Sequence, residues 1–265
     1  MRSSLWSDVD AMARLAHSRH AAEFEMGGAG AEPIVFPSGS SPAFPDRKEL
    51  DIHACGSPAR LVTGDSFDYF FVSEETLAVT VADVSGKGIP AALLMEVTRS
   101  MVRNLSSVSA SPTETLTRVN RILHQADLGA MYVTIFLGWY NTRTGAMRYV
   151  NAGHPPPYRL GGDGRVEPFG RVTGPILGIL GVEKYDEEAD RLEVGERLVL
   201  YTDGVTEAES PEGEFFGPER LEALLAKYAS VSVHRLCDLV ASAIRKFQAG
   251  RCSDDATLLA LQRNA

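Results

Sequence analysis

The chain has 265 residues, of which 44% are hydrophobic and 23% are charged, as is ordinary for soluble globular proteins. Its formal net charge of −9 argues against nucleic acid or an anionic membrane as the main partner. Cys55, Cys237 and Cys252 are widely spaced, which favours neither a zinc site nor a disulfide framework. We expect a cytoplasmic protein, because the N-terminus lacks an apolar signal core and no run approaches ~18 apolar residues.

Residues 1–47 are predicted to form a segment of their own ahead of a main domain at 48–265. Apolar residues in 1–27 have a loosely helical spacing, and 27–45 is rich in Gly, Pro, Ser and Ala, which is typical of a linker. The predicted helix has two interpretations. One is docking or dimerisation, and the other is a mobile leader or a helix that only packs on the domain.

From Leu50 onward, short runs rich in β-branched and aromatic residues alternate with turn signals. The predicted strands are 60–62, 69–72, 77–82, 132–140, 146–151 and 197–201. A central helix pair is predicted at 90–108, with Pro90 in its first turn, and at 111–126, with Ser111 as cap, followed by helices at 218–228 and 233–247. Strands in hairpins around a helix pair favour an α+β fold in which helices cover antiparallel sheets.

Four short acidic motifs lie at or near the ends of apolar runs. They are Gly64-Asp65-Ser66, Asp83-Val84-Ser85-Gly86-Lys87-Gly88, Thr202-Asp203-Gly204 and Ser253-Asp254-Asp255-Ala256-Thr257. A desolvated carboxylate is costly without a partner, so four of them predict a shared cation. Hard oxygen ligands select Mg²⁺, Mn²⁺ or Ca²⁺ over zinc, and two ions bridged by water would form a hydrolytic centre.

Taken singly, the motifs allow other interpretations. Asp203-Gly204 is often only a turn, and the cluster at Asp254 is also typical of a helix cap or an exposed loop. The motif at Asp83 follows a strand and precedes a helix, as a phosphate-binding loop does, but it lacks the GxxxxGK[ST] spacing.

In their order along the chain, these motifs resemble the PPM-type metal-dependent serine/threonine phosphatases. The likeness is to the bacterial branch of stage II sporulation protein E and the sigma-regulation phosphatases, and it covers about 50–261. The residues that carry it are Gly64-Asp65, the run 83–93, Asn151-Ala152-Gly153-His154-Pro155-Pro156, the run 201–207 and Asp254-Asp255-Ala256-Thr257. The resemblance implies a β-sandwich of two antiparallel sheets flanked by helix pairs (α-β-β-α). It also implies two Mn²⁺ or Mg²⁺ ions at one end of the sandwich.

The resemblance also implies roles for individual residues. Asp83 would bridge both ions and Val84 would offer its backbone carbonyl. Asp203 and Asp254 would hold one ion, and Asp65 would help on the other side, directly or through water. Asp255 remains an alternative to Asp254. A metal-activated water would attack the phosphate, so Asp83 and Asp203 would act in catalysis through that water.

Some positions depart from the family pattern or stay open. Thr63 and Ser66 replace a glycine and an aromatic residue, and Ser85 stands where the eukaryotic branch has a histidine. Lys87 is a candidate for a phosphate contact or else a solvated turn lysine. His154 is a candidate for substrate contact or else a structural histidine bonded to backbone.

The function that the resemblance implies is hydrolysis of phosphoserine or phosphothreonine on a protein, expected to be a phosphorylated anti-anti-sigma factor (STAS-type) in a partner-switching pathway. The alternatives are a hydrolase of small phosphoesters and a regulatory binding module without catalysis. An activator or a second copy is expected to bind the N-terminal helix or the helices at 90–126, where Leu94, Met95 and Val102 would offer an apolar surface. The alternative is that the helix at 90 is fixed in the core.

Overall fold

The computed structural model describes residues 47–57, 62–126, 128–250 and 254–265. The helix and linker predicted in 1–47 therefore lie outside the described residues, apart from Arg47. The division into 1–47 and 48–265 stays a prediction. No helix of the described ranges is long and apolar enough to cross a membrane.

The strands of the described residues form two five-stranded sheets in which all neighbouring strands are antiparallel. The first sheet has the order β1 (Leu50–Ser57), β10 (Ala256–Arg263), β9 (Arg197–Tyr201), β6 (Tyr158–Leu160) and β7 (Val166–Pro168). The second sheet has the order β2 (Asp65–Phe71), β3 (Thr76–Val84), β4 (Val133–Asn141), β5 (Ala146–Ala152) and β8 (Glu188–Arg191).

Helices cover the outer face of each sheet. The helices α1 (Ile89–Ser106) and α2 (Pro112–Gln125) share a buried apolar cluster with β3 and β4 of the second sheet. The helices α4 (Gly217–Lys227) and α5 (Val233–Phe247) pack on β9 and β10 of the first sheet, and the short helix α3 (Asp203–Thr206) follows β9. A third apolar cluster fills the space between the sheets. These four layers confirm the predicted α-β-β-α fold.

The central helix pair forms where the sequence predicts it. Pro90 occupies the first turn of α1, where its missing N–H leaves no broken helical bond. At the start of α2 the Ser111 side chain accepts a hydrogen bond of 3.1 Å from the Glu114 backbone N–H, and Glu114 Oε2 accepts from the Ala110 N–H at 2.7 Å. This reciprocal cap fixes the turn between the two helices.

Of the two interpretations of α1, an apolar docking surface at Leu94, Met95 and Val102 is wrong, and the alternative of a core helix agrees with their burial. Their relative exposures are 7%, 2% and 1%, because their helical spacing turns them toward the second sheet. The exposed large apolar residues of α1 are Ile89 and Leu93, in its first turns.

Candidate metal centre

Two of the four acidic motifs meet through the pairing of β2 with β3. Asp65 is the register partner of Asp83, and directly opposed residues point to the same face of a sheet. Phe67 and Val81, two positions further along these strands, belong to the cluster between the sheets. Since side chains alternate along a strand, Asp65 and Asp83 lie on the inner face, at one end of the sandwich.

The other two motifs come from neighbouring strands of the first sheet. Asp203 begins α3 directly after β9, and Asp254 and Asp255 directly precede β10. The Thr202 N–H donates a hydrogen bond of 3.0 Å to the Thr257 carbonyl, so the two motifs lie side by side. A Cβ on Gly204 would overlap with the Asp255 carbonyl oxygen, which explains why glycine follows Asp203.

Two hydrogen bonds join the two sheets at this end, and a third holds Thr202 on β10. Thr202 Oγ1 donates to Asp65 Oδ2 at 2.7 Å and accepts from the Thr257 N–H at 2.9 Å. The Gly64 N–H donates to Asp255 Oδ2 at 2.9 Å. Thr202 is completely buried. Both threonines lie in the acidic motifs, but the sequence does not reveal their role, because the bond from Thr202 reaches a residue 137 positions away.

The carboxyl groups at this end repel one another. Burial, and then the charge of Asp83, hold the pKa of Asp65 well above its usual value. Burial and the charge of Asp203 raise the pKa of Asp83 to about 7. Burial and the charge of Asp254 raise the pKa of Asp203. A cation among these groups would relieve both the desolvation and the repulsion.

The donor types at this end fit Mg²⁺ or Mn²⁺, since they are carboxylates and the backbone carbonyl of Val84, beside which Gly64 packs without a side chain. Nevertheless, no three His, Cys, Asp or Glu side chains of the described ranges are already close enough together to hold one ion. Asp254 Oδ2 lies instead 2.7 Å from Lys87 Nζ. The donor chemistry thus fits divalent ions, and one oxygen of Asp254 is paired with Lys87.

The structure also locates the remaining candidates. Lys87 is 41% exposed and pairs with Asp254 at the acidic end of the sandwich, so both of its interpretations stay predictions. His154 is only 1% exposed and burial lowers its pKa to about 3, so its imidazole is neutral. Its Nδ1 lies 2.9 Å from Thr134 Oγ1, and its backbone exchanges two hydrogen bonds with the Asn151 side chain. These contacts favour the structural interpretation of His154.

Comparison with known proteins agrees with this geometry. The family model described as Stage II sporulation protein E (SpoIIE) matches residues 73–264. The chain belongs to this family. The matched range confirms the resemblance and contains Asp83, Asp203 and Asp254, whereas Asp65 precedes it.

Two curated relatives extend the comparison. Phosphoserine phosphatase RsbU of Bacillus subtilis (strain 168) is 31% identical over 219 residues, covering 83% of this chain and 65% of RsbU. Protein IcfG of Synechocystis sp. (strain ATCC 27184 / PCC 6803 / Kazusa) is 30% identical over 250 residues, covering 84% of this chain and 39% of IcfG. The chain thus spans less than two thirds of the length of either relative.

Solved structures share the fold. The RsbU and RsbW domains of Rv1364c from Mycobacterium tuberculosis match with a TM-score of 0.72 at 28% identity, over 82% of this chain and 60% of that chain. The SiaA-PP2C domain of Pseudomonas aeruginosa matches with a TM-score of 0.70 at 21% identity, over 80% of this chain and 85% of that domain. The second likeness shows the fold alone.

Proposed function

We propose that this member of the SpoIIE family is a metal-dependent protein serine/threonine phosphatase. The observation that carries the proposal is the meeting of Asp65, Asp83 and Asp203 with the Asp254-Asp255 segment at one end of the sandwich. The chain that forms this cluster is 31% identical to a protein named as a phosphoserine phosphatase.

The residues that would hold two Mn²⁺ or Mg²⁺ ions are Asp65, Asp83, Asp203, Asp254 and the carbonyl of Val84, with Asp255 as the alternative to Asp254. When bound, such ions supply an activated water and neutralise phosphate oxygens. Asp83 would bind both ions, because it is close to the carboxylates on either side. Its charge raises the pKa of Asp65, and the charges of Asp203 and Asp254 raise its own pKa.

The protein's own contribution is to hold these carboxylates in place. The Thr202 hydroxyl orients Asp65, and the pair of Phe67 with Val81 forms an apolar floor beneath Asp65 and Asp83. A phosphate contact by Lys87 belongs to the proposal as well, because its ammonium group lies at the acidic end and is partly exposed.

The proposed substrate is the phosphoserine or phosphothreonine of an anti-anti-sigma (STAS-type) protein in a cytoplasmic partner-switching pathway. Its support is the identity to RsbU and the likeness to a protein that carries RsbU and RsbW domains. An activator or a second copy would bind the segment 1–47 or the helices at 90–126. On α1, the exposed Ile89 and Leu93 directly follow the motif that contains Asp83.

A phosphate-release assay with and without Mn²⁺ tests the function. Wild type should hydrolyse a phosphoserine STAS-type protein in Mn²⁺, lose this activity in EDTA and act poorly on a generic phosphoester. Asp83→Asn should lose at least about a hundredfold in rate, while Asp51→Asn, at an exposed position of β1, should behave as wild type.

Calorimetric titration with Mn²⁺ completes the test by comparing the stoichiometry of wild type and Asp83→Asn. A lower stoichiometry in the variant is expected. Equal stoichiometry would overturn the role of Asp83. Equal turnover of both substrates would favour a small-phosphoester hydrolase, and metal binding without any turnover would favour a binding module.

A further inference from the structure

Two of the three cysteines lie together at the interface of β1 with α5, on the opposite face of the first sheet from the space between the sheets. Cys55 belongs to β1 and Cys237 to α5. Cys55 Sγ lies 3.7 Å from the Cys237 carbonyl oxygen, and Cys237 Sγ lies 3.7 Å from the carbonyl oxygen of His53. Each thiol thus contacts the backbone of the element that carries the other cysteine.

The two thiols differ in a way that suits stepwise oxidation. A hydrogen bond from the Cys237 thiol, assisted by Arg245, lowers the pKa of Cys55 against the opposing effects of burial and Asp238. The same hydrogen bond, together with burial, raises the pKa of Cys237. Since the thiolate is the nucleophile, Cys55 is the sulfur that reacts first.

A small cavity lies beside Cys55. Its volume is about 20 Å³, and Cys55, Val205, Val240, Ile244 and Leu258 contribute to its lining. A cavity of roughly 10–15 Å³ is enough for one water, so this one admits a molecule of about that size. Cys55 is half-buried and Cys237 is buried, which leaves Cys55 as the thiol that a small oxidant meets.

We propose that Cys55 and Cys237 form an oxidisable dithiol, a modification site that a small peroxide converts into a disulfide between β1 and α5. The Cys55 thiolate attacks one oxygen of hydrogen peroxide, which breaks the O–O bond, gives a sulfenic acid and releases hydroxide, protonated to water. The Cys237 sulfur then attacks the Cys55 sulfur. The S–S bond forms, and the hydroxide that leaves takes the Cys237 proton. Two thiols and one peroxide thus give one disulfide and two waters.

The cross-link would stabilise the domain and leave the acidic cluster in place. It joins residues 182 positions apart, and closing a long loop restricts the unfolded chain. Cys55 pairs with Leu258, on the side of Ala256 away from Asp254 and Asp255. Because Cys55 is paired with Leu258, three positions beyond Asp255 along β10, the oxidised protein should keep its phosphatase activity.

The test treats metal-free full-length protein with equimolar hydrogen peroxide, counts thiols and maps disulfide-linked peptides. Wild type should lose two of its three thiols, yield one peptide pair linking Cys55 to Cys237, and gain roughly 5 °C in Tm, reversed by dithiothreitol. Cys252→Ser is the matched control and should form the same link and show the same shift.

Cys55→Ser, at the half-buried position, should abolish both the link and the shift. Cys237→Ala should instead leave Cys55 as the sulfenic acid, which trapping with dimedone and mass spectrometry identify. The proposal is overturned if the link in wild type joins Cys252, or if Cys55 is over-oxidised while Cys237 stays reduced. It is also overturned if all three thiols survive the treatment. None of these outcomes bears on the phosphatase proposal, because the assay is free of substrate and metal.

Discussion

The hydroxyl of Thr202 lies between the two sheets at the point where the acidic motifs meet. It donates to Asp65 and accepts from the Thr257 backbone, so it is satisfied in both roles and its rotamer is fixed. A hydrogen bond to the charged form of a buried carboxyl lowers its pKa, and Thr202 opposes in this way the burial that raises the pKa of Asp65. Thr202 is therefore a positioning residue for the proposed metal centre.

We predict that Thr202→Val lowers Mn²⁺ affinity by about ten- to a hundredfold, as loss of a bond to a metal ligand commonly does. The shape of the side chain is kept, but Asp65 loses one of its two threonine donors and the Thr257 N–H loses its acceptor. Thr202→Ser keeps the hydroxyl and should stay within a few-fold of wild type. Calorimetric titration measures both, and equal affinities for valine and serine would contradict the role of Thr202.

The sequence is sufficient to predict the clustered aspartates, but not the side chains that form hydrogen bonds or ion pairs with them. An aspartate after an apolar run is conspicuous, and glycines beside Asp65 and Asp203 mark close backbone approach. Thr202 and the partner of Lys87 were not predictable, because their bonds join distant parts of the chain. The ligand roles of the aspartates remain predictions until metal binding is measured.

Among the elements, α1 and β2 are joined at the buried carboxylate of Asp68, which pairs with Arg103 and, at 3.9 Å, with Arg99. Asp68 of β2 is 4% exposed, and its carboxylate accepts two hydrogen bonds from Arg103 of α1, at 2.9 and 2.6 Å. The Arg103 guanidinium also lies 4.7 Å from the centroid of the Phe70 ring. Because β2 begins at Asp65 and α1 follows the motif of Asp83, this pair connects the elements that flank the acidic cluster.

Arg103→Met should lower the free energy of unfolding by about 2 kcal/mol or more, since it leaves the buried Asp68 carboxylate without its main partner. Arg118→Met on α2 is the matched control. It removes an exposed pair with Glu114, and such pairs contribute less than about 1 kcal/mol. Urea unfolding of the three proteins measures both effects, and equal losses in the two variants would show that burial of Asp68 does not matter.

The sequence does not predict β10 or the short strands β6, β7 and β8. In β10, Leu259 and Leu261 face the other sheet while Leu258 and Ala260 face the helices. Both faces are thus apolar, and such a run cannot be told from a buried helix by its period. The strands β6, β7 and β8 are only three or four residues long. The predicted strand at 60–62 is not found at Val62, and its other residues lie outside the described ranges.

By contrast, strands rich in β-branched and aromatic residues between turn signals, and a helix with one apolar face, were predicted well. The helix at 233–247 and the strand at 197–201 have the predicted bounds, and the strands at 77–82, 132–140 and 146–151 differ from the observed ones by at most two residues. The prediction at 69–72 found only the second half of β2. Asp65, Ser66 and Asp68 make its first half polar, although all three are buried.

For the molecule as a whole, the acidic cluster opposes folding when no cation is present. The pKa of Asp83 is about 7 in the folded protein, above its ordinary value of 3.8, and the pKa values of Asp65 and Asp203 are raised as well. The folded state therefore binds protons more tightly than the unfolded state. By linkage, stability contributed by these groups is full below about pH 4 and is lost as the pH rises through about 7.

We therefore predict that the metal-free protein loses stability between pH 5 and pH 8, by an amount for Asp83 on the order of 2 kcal/mol. The neutral buried His154, whose pKa is lowered to about 3, acts in the opposite direction, because its unfolded form binds a proton below about pH 6.5. His154 is present in both wild type and Asp83→Asn, so its contribution cancels when the two proteins are compared.

Urea unfolding in EDTA at pH 5 and pH 8 should show a smaller loss of unfolding free energy in the variant than in wild type. Saturating Mn²⁺ at pH 8 should restore the stability of wild type by about 3 kcal/mol at a hundredfold excess over Kd, and should restore less in the variant. Parallel pH dependence in the two proteins, with equal stabilisation by Mn²⁺, would mean that Asp83 neither carries the repulsion nor meets the metal.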